Sequence, residues 1–268
     1  MGGRRLRNLQ ERRAAIKVVH LDDSREAPPG REPEGERSQE ELPFVRALGH
    51  ELRSPLNTIV GFSDMLLQGL SGDLNEEQID FLTRVRGAAQ RLGALHGDAI
   101  EILKVQAGLV DTEVSRFSLR ELVESAARPS EEIREAKGLK LDDRVPAELI
   151  VETDRPHLRR CVAAYLDNAA RYAKTGSIVV TATGDDASVR LTVRDSGVGI
   201  DARGLERVFE PFPRLRPRND GEPATTELSL YLVRNIAEHV LGGDVSVNSA
   251  PDDGSEFSIE FENPLRVS

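Results

Sequence analysis

The stretch that decides the fold is residues 48–66, LGHELRSPLNTIVGFSDML. In and around it, apolar residues recur at alternating steps of three and four, which is typical of a helix that packs in a bundle. The positions on this seam are Val45, Leu48, Leu52, Pro55, Ile59, Phe62 and Leu66. The pattern predicts a long amphipathic helix whose apolar stripe needs a partner.

A second seam follows a short polar segment. Residues 71–73, Ser-Gly-Asp, predict a loop, and Asn75 is a suitable N-cap before Glu76. The second set of seam positions is Leu82, Val85, Ala89, Leu92, His96, Ala99 and Leu103. Two helices of about 30 residues with a short loop predict an antiparallel hairpin over residues 41–110. One hairpin leaves its seam half covered, so we expect a homodimer that forms a four-helix bundle, with His96 as a polar bundle residue.

The first helix also carries a group suited to phosphoryl chemistry. With the seam facing its partner, His50 is expected to face solvent, and Ser54 lies one turn further on the same face. Glu51 could accept a ring proton or fix the tautomer of the imidazole. Phosphoryl transfer to an imidazole needs an exposed nitrogen and a nearby carboxylate base, and this arrangement supplies both. Pro55 removes a helical hydrogen bond and favours a bend beside this site.

Residues 114–264 show a mixed pattern of helices and strands. The predicted helices are Leu119–Ala127, capped by Ser118, Arg155–Ala173, capped by Asp154, and Leu228–Leu241. The predicted strands are Leu149–Glu152, Ser177–Thr183, Val189–Arg194, Asp244–Asn248 and Phe257–Phe261. The chain is therefore expected to be α plus α/β, a helical hairpin followed by a two-layer α/β sandwich with a mixed sheet.

Two segments of this second half carry polar groups suited to a nucleotide. In CVAAYLDNAARY, residues 161–172, the side chains of Asn168, Arg171 and Tyr172 are expected on the exposed face of a helix. Tyr165 or Leu166, together with Ala169, is expected to face the sheet. An amide oxygen such as that of Asn168 is a suitable ligand for Mg²⁺, a cation that prefers oxygen.

The other segment is RDSGVGI, residues 194–200, directly after a predicted strand. Asp195 at the strand end could accept a hydrogen bond from an adenine amino group. Gly197 and Gly199 permit close backbone approach.

Together these segments resemble the sensor histidine kinases over residues 42–263. Residues 48–66 resemble their phosphoacceptor box, 161–172 the N box, 194–200 the G1 box, and Phe209-Glu210-Pro211-Phe212 the F box. The resemblance implies a Bergerat-type ATP-binding fold, ATP and Mg²⁺ as ligands, and a response-regulator receiver domain as partner. It also implies that His50 is phosphorylated, that Glu51 is its base, that Ser54 influences dephosphorylation of the partner, and that Asn168 binds Mg²⁺.

The sequence departs from this family at the turn before the last helix. Where the family has three glycines, this chain has Thr225, Glu227 and Ser229. Thr225 or Thr226 could cap the helix and contribute to the nucleotide site, whereas Glu227 would repel a triphosphate. Arg214, Arg216 and Arg218 could offset that repulsion or remain solvated lid charges. Ala164 also stands where the N box often has a second asparagine.

Two functions therefore stay open. One is a histidine kinase that uses ATP; the other is a degenerate kinase that acts as a dimeric scaffold or phosphotransfer protein with weak or no ATP use. A third, an ATPase of the anti-sigma type, would leave the His50 hairpin without a role.

The composition limits the class of protein and its expected location in the cell. The net charge of −10 argues against a nucleic-acid partner. A single cysteine, Cys161, excludes an intramolecular disulfide. No apolar run approaches the roughly 20 residues of a membrane span, and no signal peptide is evident, so a cytoplasmic location is expected. Residues 1–40 are rich in charge, Pro and Gly, which predicts a linker that could contact an upstream protein.

Overall fold

The structure, a computed structural model, describes residues 37–185, 187–213 and 228–263, with side chains of the first helix from Glu51 onward. The chain divides into two compact units, with the boundary between Leu109 and Val110. Within the described ranges, no helix is both long enough and apolar enough to cross a membrane.

The first unit is a helical hairpin. Helix α1 spans Arg37–Leu67 and helix α2 spans Glu76–Gln106. Asn75 caps α2 in a reciprocal box: its side chain accepts from the Gln78 N–H, and its own N–H donates to Gln78 Oε1, both at 2.9 Å. The predicted hairpin and cap are confirmed. Helix α1 begins inside the segment predicted as a linker; residues 1–36 lie outside the described residues.

The two helices bury only part of their apolar surface against each other. Ser63, Ala89, Ile102 and Val105 are buried, and Arg86 Nη1 donates to Asp64 Oδ1 at 3.1 Å across the hairpin. Much of the predicted seam is exposed in a single chain, namely Leu52, Ile59, Phe62, Val85, Leu92 and Leu103. Six large apolar side chains exposed along the predicted seams are unusual for a free surface.

The second unit is a two-layer α/β sandwich. Its helices are α3 Leu119–Ala127, α4 Glu131–Ala136, α5 Arg155–Tyr172, α6 Ala202–Leu205 and α7 Ser229–His239. Its strands are β1 Val114–Ser118, β2 Lys140–Asp143, β3 Ile150–Asp154, β4 Ser177–Gly184, β5 Ser188–Asp195, β6 Asp244–Ser249 and β7 Ser255–Glu262.

The main sheet has the strand order β2-β4-β5-β7-β6. The β2–β4 pair is parallel and the remaining pairs are antiparallel, so the sheet is mixed as predicted. Strands β1 and β3 form a separate antiparallel pair.

Alternation along the strands places the core on one face of this sheet. In β5, Val189, Leu191 and Val193 are buried while Arg190 and Arg194 are exposed. Helix α5 contacts α3, α7 and β5 over the buried face. The Tyr165 and Phe257 rings meet there with centroids 5.5 Å apart. The predicted sandwich is confirmed.

Two strands and two helices, α4 and the four-residue α6, were absent from the sequence prediction. Strand β1, VSRFS, and strand β2, KLDD, are short and polar and show little apolar alternation. Strand β2 is held through its neighbour: the Lys140 N–H donates to the Gly176 carbonyl at 3.1 Å, next to the parallel pairing with β4. Helix α4 has no fully buried residue, so its sequence carries no clear stripe.

Candidate functional site

The hairpin carries the predicted phosphoacceptor. His50 lies in α1, but its side chain is outside the described ones, so its predicted orientation toward solvent stays a prediction. Glu51 and Ser54 are exposed one residue and one turn further along the helix. Ser54, Arg53, Asn57 and Thr58 line a shallow polar depression on this face. His96, expected as a bundle residue, is half-buried in α2.

In the α/β unit, Asp195 ends strand β5 at the edge of the core. Its side chain is only 4% exposed, and its Oδ1 accepts from the Gly197 N–H at 2.7 Å. Burial raises the pKa of Asp195 above its ordinary value, against the lowering effects of the Gly197 and Ser255 amides and the Arg194 charge. A buried carboxylate of this kind is a strong hydrogen-bond acceptor, and here it lies at the end of a strand.

The two predicted glycines of this loop are required by its own packing. A Cβ on Gly199, whose φ is +66°, would lie 1.8 Å from the Ala250 carbonyl oxygen. A Cβ on Gly197 would lie 2.5 Å from the Tyr172 carbonyl oxygen and 2.6 Å from Asp195 Oδ1. Either position would therefore have to shift to accept a side chain.

The end of α5 lies directly against the Asp195 loop. Ala173, the residue after the helix, forms a single antiparallel bridge with Gly197, and Ser196 Oγ donates to the Thr175 carbonyl at 2.5 Å. Along α5, Tyr165, Leu166 and Ala169 are buried, as predicted. The structure thus brings together the last turn of α5 and the loop after β5.

The predicted nucleotide residues of α5 line its open side. Asn168 and Tyr172 are half-buried, and Arg171 is exposed. The Arg171 Nε donates to Asp167 Oδ2 at 2.7 Å, a surface ion pair spaced i to i+4. This pair orients the guanidinium on the helix surface.

Helix α7 follows the turn in which this chain replaces the three glycines of the family. It begins at Ser229, and its N-cap is Leu228, a buried apolar residue with φ −96° and ψ −10°. The first turn of α7 contains no acidic residue. Thr225, Thr226 and Glu227, predicted to cap the helix or to face the phosphates, lie outside the described residues, as do Arg214, Arg216 and Arg218.

Two described side chains have the chemistry that a nucleotide and its metal would need. The buried Asp195 carboxylate could accept from an amino group, and the half-buried Asn168 has the kind of oxygen that Mg²⁺ prefers. The described residues contain no cluster of three or more His, Cys, Asp or Glu that could hold a metal. Mg²⁺ would be held here through the Asn168 oxygen and would supply charge to offset that of the phosphates.

Two residues that support Asp195 escaped the sequence analysis. Ser249 Oγ accepts from the Ile200 N–H at 2.9 Å and donates to the Gly254 carbonyl at 2.6 Å. A Cβ on Gly254, whose φ is +75°, would lie 2.0 Å from the Asp195 carbonyl oxygen. The Asp-Asp-Gly turn at residues 252–254 was the available sequence signal.

The segment resembling the F box is split between core and surface. Phe209 is buried, and its ring meets the Phe257 ring edge-on with centroids 6.2 Å apart. Phe212 is half exposed and has φ +55°, a left-handed conformation rare for a bulky residue.

Two regions match known families. Residues 42–108 match the family described as His Kinase A (phospho-acceptor) domain. Residues 153–265 match the family described as Histidine kinase-, DNA gyrase B-, and HSP90-like ATPase.

Curated relatives extend well beyond the matched region. The sensor protein GacS of Pseudomonas syringae pv. syringae is 28% identical over 236 residues, 85% of this chain and 26% of GacS. The aerobic respiration control sensor protein ArcB of Escherichia coli (strain K12) is 29% identical over 231 residues, 85% of this chain and 29% of ArcB. The chain therefore spans a quarter to a third of the length of these relatives.

Among solved structures, full-length ShkA in complex with AMPPNP is similar across both units. The match has a TM-score of 0.65 at 25% identity and covers 83% of this chain and 47% of ShkA.

Proposed function

The chain belongs to the sensor histidine kinases, with a phosphoacceptor domain followed by an ATPase domain, and we propose that it phosphorylates itself on His50. ATP is the donor in this proposal, and a receiver-domain aspartate of a response regulator is the final acceptor. Because ATP is the donor, we place the reaction in the cytoplasm. The two working regions would be residues 41–110 and 114–264.

One observation carries the proposal. The bridge between Ala173 and Gly197 joins the helix that bears Asn168, Arg171 and Tyr172 to the loop that bears Asp195. Asn168 and Asp195 are 27 residues apart in sequence, yet their segments meet at the C-terminal end of the central strand β5. Convergence of these groups, together with a buried acceptor at a strand end, supports a nucleotide site here.

In the hairpin, each residue has a proposed role. An imidazole nitrogen of His50 would attack the γ-phosphorus, and the bond to the ADP oxygen would break as the new N–P bond forms. Glu51, exposed beside it, would accept the ring proton. Ser54, one turn on, would hold the water that later removes phosphate from the partner.

In the α/β unit, binding and positioning are the proposed tasks. Asp195 would accept from the adenine amino group, and Tyr172 would cover the base. Arg171 would contact the phosphates from the open side of α5, and Thr225 and Thr226 would contact them from the α7 entrance. Mg²⁺, when bound through Asn168, would screen the charge of the phosphate oxygens.

A homodimer is part of the proposal. The exposed stripe of Leu52, Ile59, Phe62, Val85 and Leu92 would be buried between two hairpins. Burial of apolar area at about 25 cal/mol per Å² favours such pairing. A protein that delivers the stimulus would contact the segment 1–40 or the hairpin.

A second candidate is a degenerate kinase that serves as a dimeric scaffold or phosphotransfer protein. The replacement of the glycines by Thr225, Glu227 and Ser229 favours it, since a glutamate at a helix entrance repels a triphosphate. A penalty of about 1.4 kcal/mol weakens binding tenfold. The retained Asn168 and Asp195 favour the active kinase.

The test is incubation of the full chain with γ-labelled ATP and Mg²⁺, beside His50→Ala and His96→Gln. We expect acid-labile label in the unaltered chain and in His96→Gln, and none in His50→Ala. The matched histidine of α2 controls for general disturbance of the hairpin. Label that persists in His50→Ala would overturn the assignment of the acceptor, and absence of label from a chain that binds ATP would favour the scaffold.

A further inference from the structure

The side chain of Lys137, the residue after α4, reaches the C-terminal end of α5. Its Nζ donates to the carbonyls of Ala170, Arg171 and Ala173 at 3.0, 2.5 and 3.3 Å. Three acceptors from one helix end satisfy all three donors of an ammonium group. None of the sequence motifs includes this residue.

Helix α5 needs such a cap because its backbone becomes extended directly after the last helical residue. The Ala173 N–H still donates to the Ala169 carbonyl at 2.9 Å, but Ala173 then adopts an extended conformation with φ −64° and ψ 136°. The chain therefore makes none of the turned-back backbone bonds that usually satisfy the last carbonyls of a helix. The Lys137 ammonium supplies those bonds and places a positive charge at the negative end of the helix dipole.

The lysine is itself held in place by the turn after α4. The Lys137 N–H donates to the Ile133 carbonyl at 3.2 Å, and Gly138 follows with φ +64°. Leu139 is buried, and the Lys140 N–H then pairs with the Gly176 carbonyl at 3.1 Å. Both sides of Lys137 are thus anchored, so its side chain is directed to the helix end by a built turn.

The capped segment is the one that joins the two halves of the nucleotide site. Asn168, Arg171 and Tyr172 lie in the last turn and a half of α5, and Ala173 bridges to Gly197 beside Asp195. We infer that Lys137 is a positioning residue, whose ammonium fixes the end of α5 against the Asp195 loop and so sets the affinity for ATP. This inference rests on the proposed use of ATP at that site.

The experiment compares three variants of the full chain: Lys137→Met, Lys137→Arg and Lys140→Met. Lys140 is an exposed lysine three residues further on, at the start of β2. Its substitution therefore removes the same charge from the same region of the chain. The dissociation constant of a non-hydrolysable ATP analogue with Mg²⁺ is measured for each. Autophosphorylation is then followed as a function of ATP concentration.

We expect Lys137→Met to raise the dissociation constant and the KM for ATP by about three- to tenfold, with kcat at saturating ATP little changed. Lys137→Arg should restore affinity to within about twofold, because a guanidinium can donate to the same carbonyls. Lys140→Met should bind like the unaltered chain. Amide hydrogen exchange without nucleotide should quicken at residues 173–176 in Lys137→Met alone.

Equal affinity of Lys137→Met and Lys140→Met would overturn the inference, as would faster exchange at residues 173–176 without loss of affinity. If Lys137→Met fails to fold, Lys137→Arg decides, because a folded arginine variant with weakened binding contradicts the role of the cap. Failure of the proposed function looks different: the unaltered chain and Lys140→Met would then both fail to bind nucleotide, and the inference would fall with it.

Discussion

Helices α5 and α7 pack in one layer over the same sheet, yet they begin in opposite ways. The N-cap of α5 is Asp154, 2% exposed, whose Oδ1 accepts from the His157 N–H at 2.9 Å and lies 2.7 Å from His157 Nδ1. Its Oδ2 accepts from the Glu113 N–H at 2.7 Å. The N-cap of α7 is Leu228, and no acidic residue stands in the first turn.

This difference determines whether the start of each helix can accept an anionic ligand: the start of α5 is occupied by the Asp154 carboxylate, and the start of α7 is not. A carboxylate at the positive end of a helix dipole stabilises the helix and excludes another anion. An apolar cap does neither, and the first turn of α7 carries no carboxylate that would exclude an anion. The proposed nucleotide site puts the phosphates of ATP near this second entrance, where Glu227 precedes the helix in the sequence.

The largest expected effect is on the structural entrance. Asp154→Ala removes the cap and leaves the Glu113 and His157 amides without their acceptor, so the free energy of unfolding should fall by about 2 to 3 kcal/mol. Urea unfolding measures this change. Ser229→Ala at the start of α7 is the matched control and should change it by about 0.5 kcal/mol at most. Similar losses of unfolding free energy in both variants would show that the starts of α5 and α7 do not differ in this way.

A smaller change in stability is expected when the start of α7 is given a carboxylate like the one at the start of α5. Ser229→Asp places a carboxylate in the first turn of α7, where it should stabilise the free protein by about 0.5 kcal/mol and weaken ATP binding about tenfold. Ser229→Asn, nearly equal in size and neutral, is the control for titration calorimetry with a non-hydrolysable analogue. Equal affinities of the Asp and Asn variants would show that phosphate does not reach this end of α7.

The smallest effect concerns pH. Because burial raises the pKa of Asp195 above 3.8, the folded state holds this proton more tightly than the unfolded state does. Between the ordinary and the raised pKa, the contribution of this group to stability therefore falls as pH rises, and the deficit persists above that window.

Asp195→Asn removes that dependence. The difference in unfolding free energy, variant minus unaltered chain, should be more positive at about pH 7 than at about pH 3.5, while ATP binding is weakened at neutral pH. Urea unfolding at both pH values measures it. A difference that shrinks as pH rises would mean that Asp195 is stabilised in its charged form.

Periodicity made much of this fold predictable. The three-four spacing around Leu52 and Leu92 predicted both helices of the hairpin, and the alternation of Val189, Leu191 and Val193 predicted a central strand. Strand β2 was not predictable, because its residues are polar and its pairing with β4 depends on a distant segment.

The site was predictable only where chemistry sits in a local motif. Asn168 and Asp195 stand in recognisable strings, and the structure brings their segments together. Lys137 acts through a contact 33 to 36 residues away in sequence, so no local spacing reveals it. Gly197 and Gly199 were expected to make room for a ligand, and their packing against Tyr172 and Ala250 needed coordinates to be seen.

The central claim is that the α/β unit still binds ATP despite Thr225, Glu227 and Ser229. The most direct measurement is titration of the full chain with a non-hydrolysable ATP analogue and Mg²⁺, beside Asp195→Ala and Glu227→Gly. We expect saturable binding by the unaltered chain, loss of binding in Asp195→Ala, and tighter binding in Glu227→Gly. Absence of binding by the unaltered chain would contradict the claim, and binding by Glu227→Gly alone would show that the altered turn is the cause.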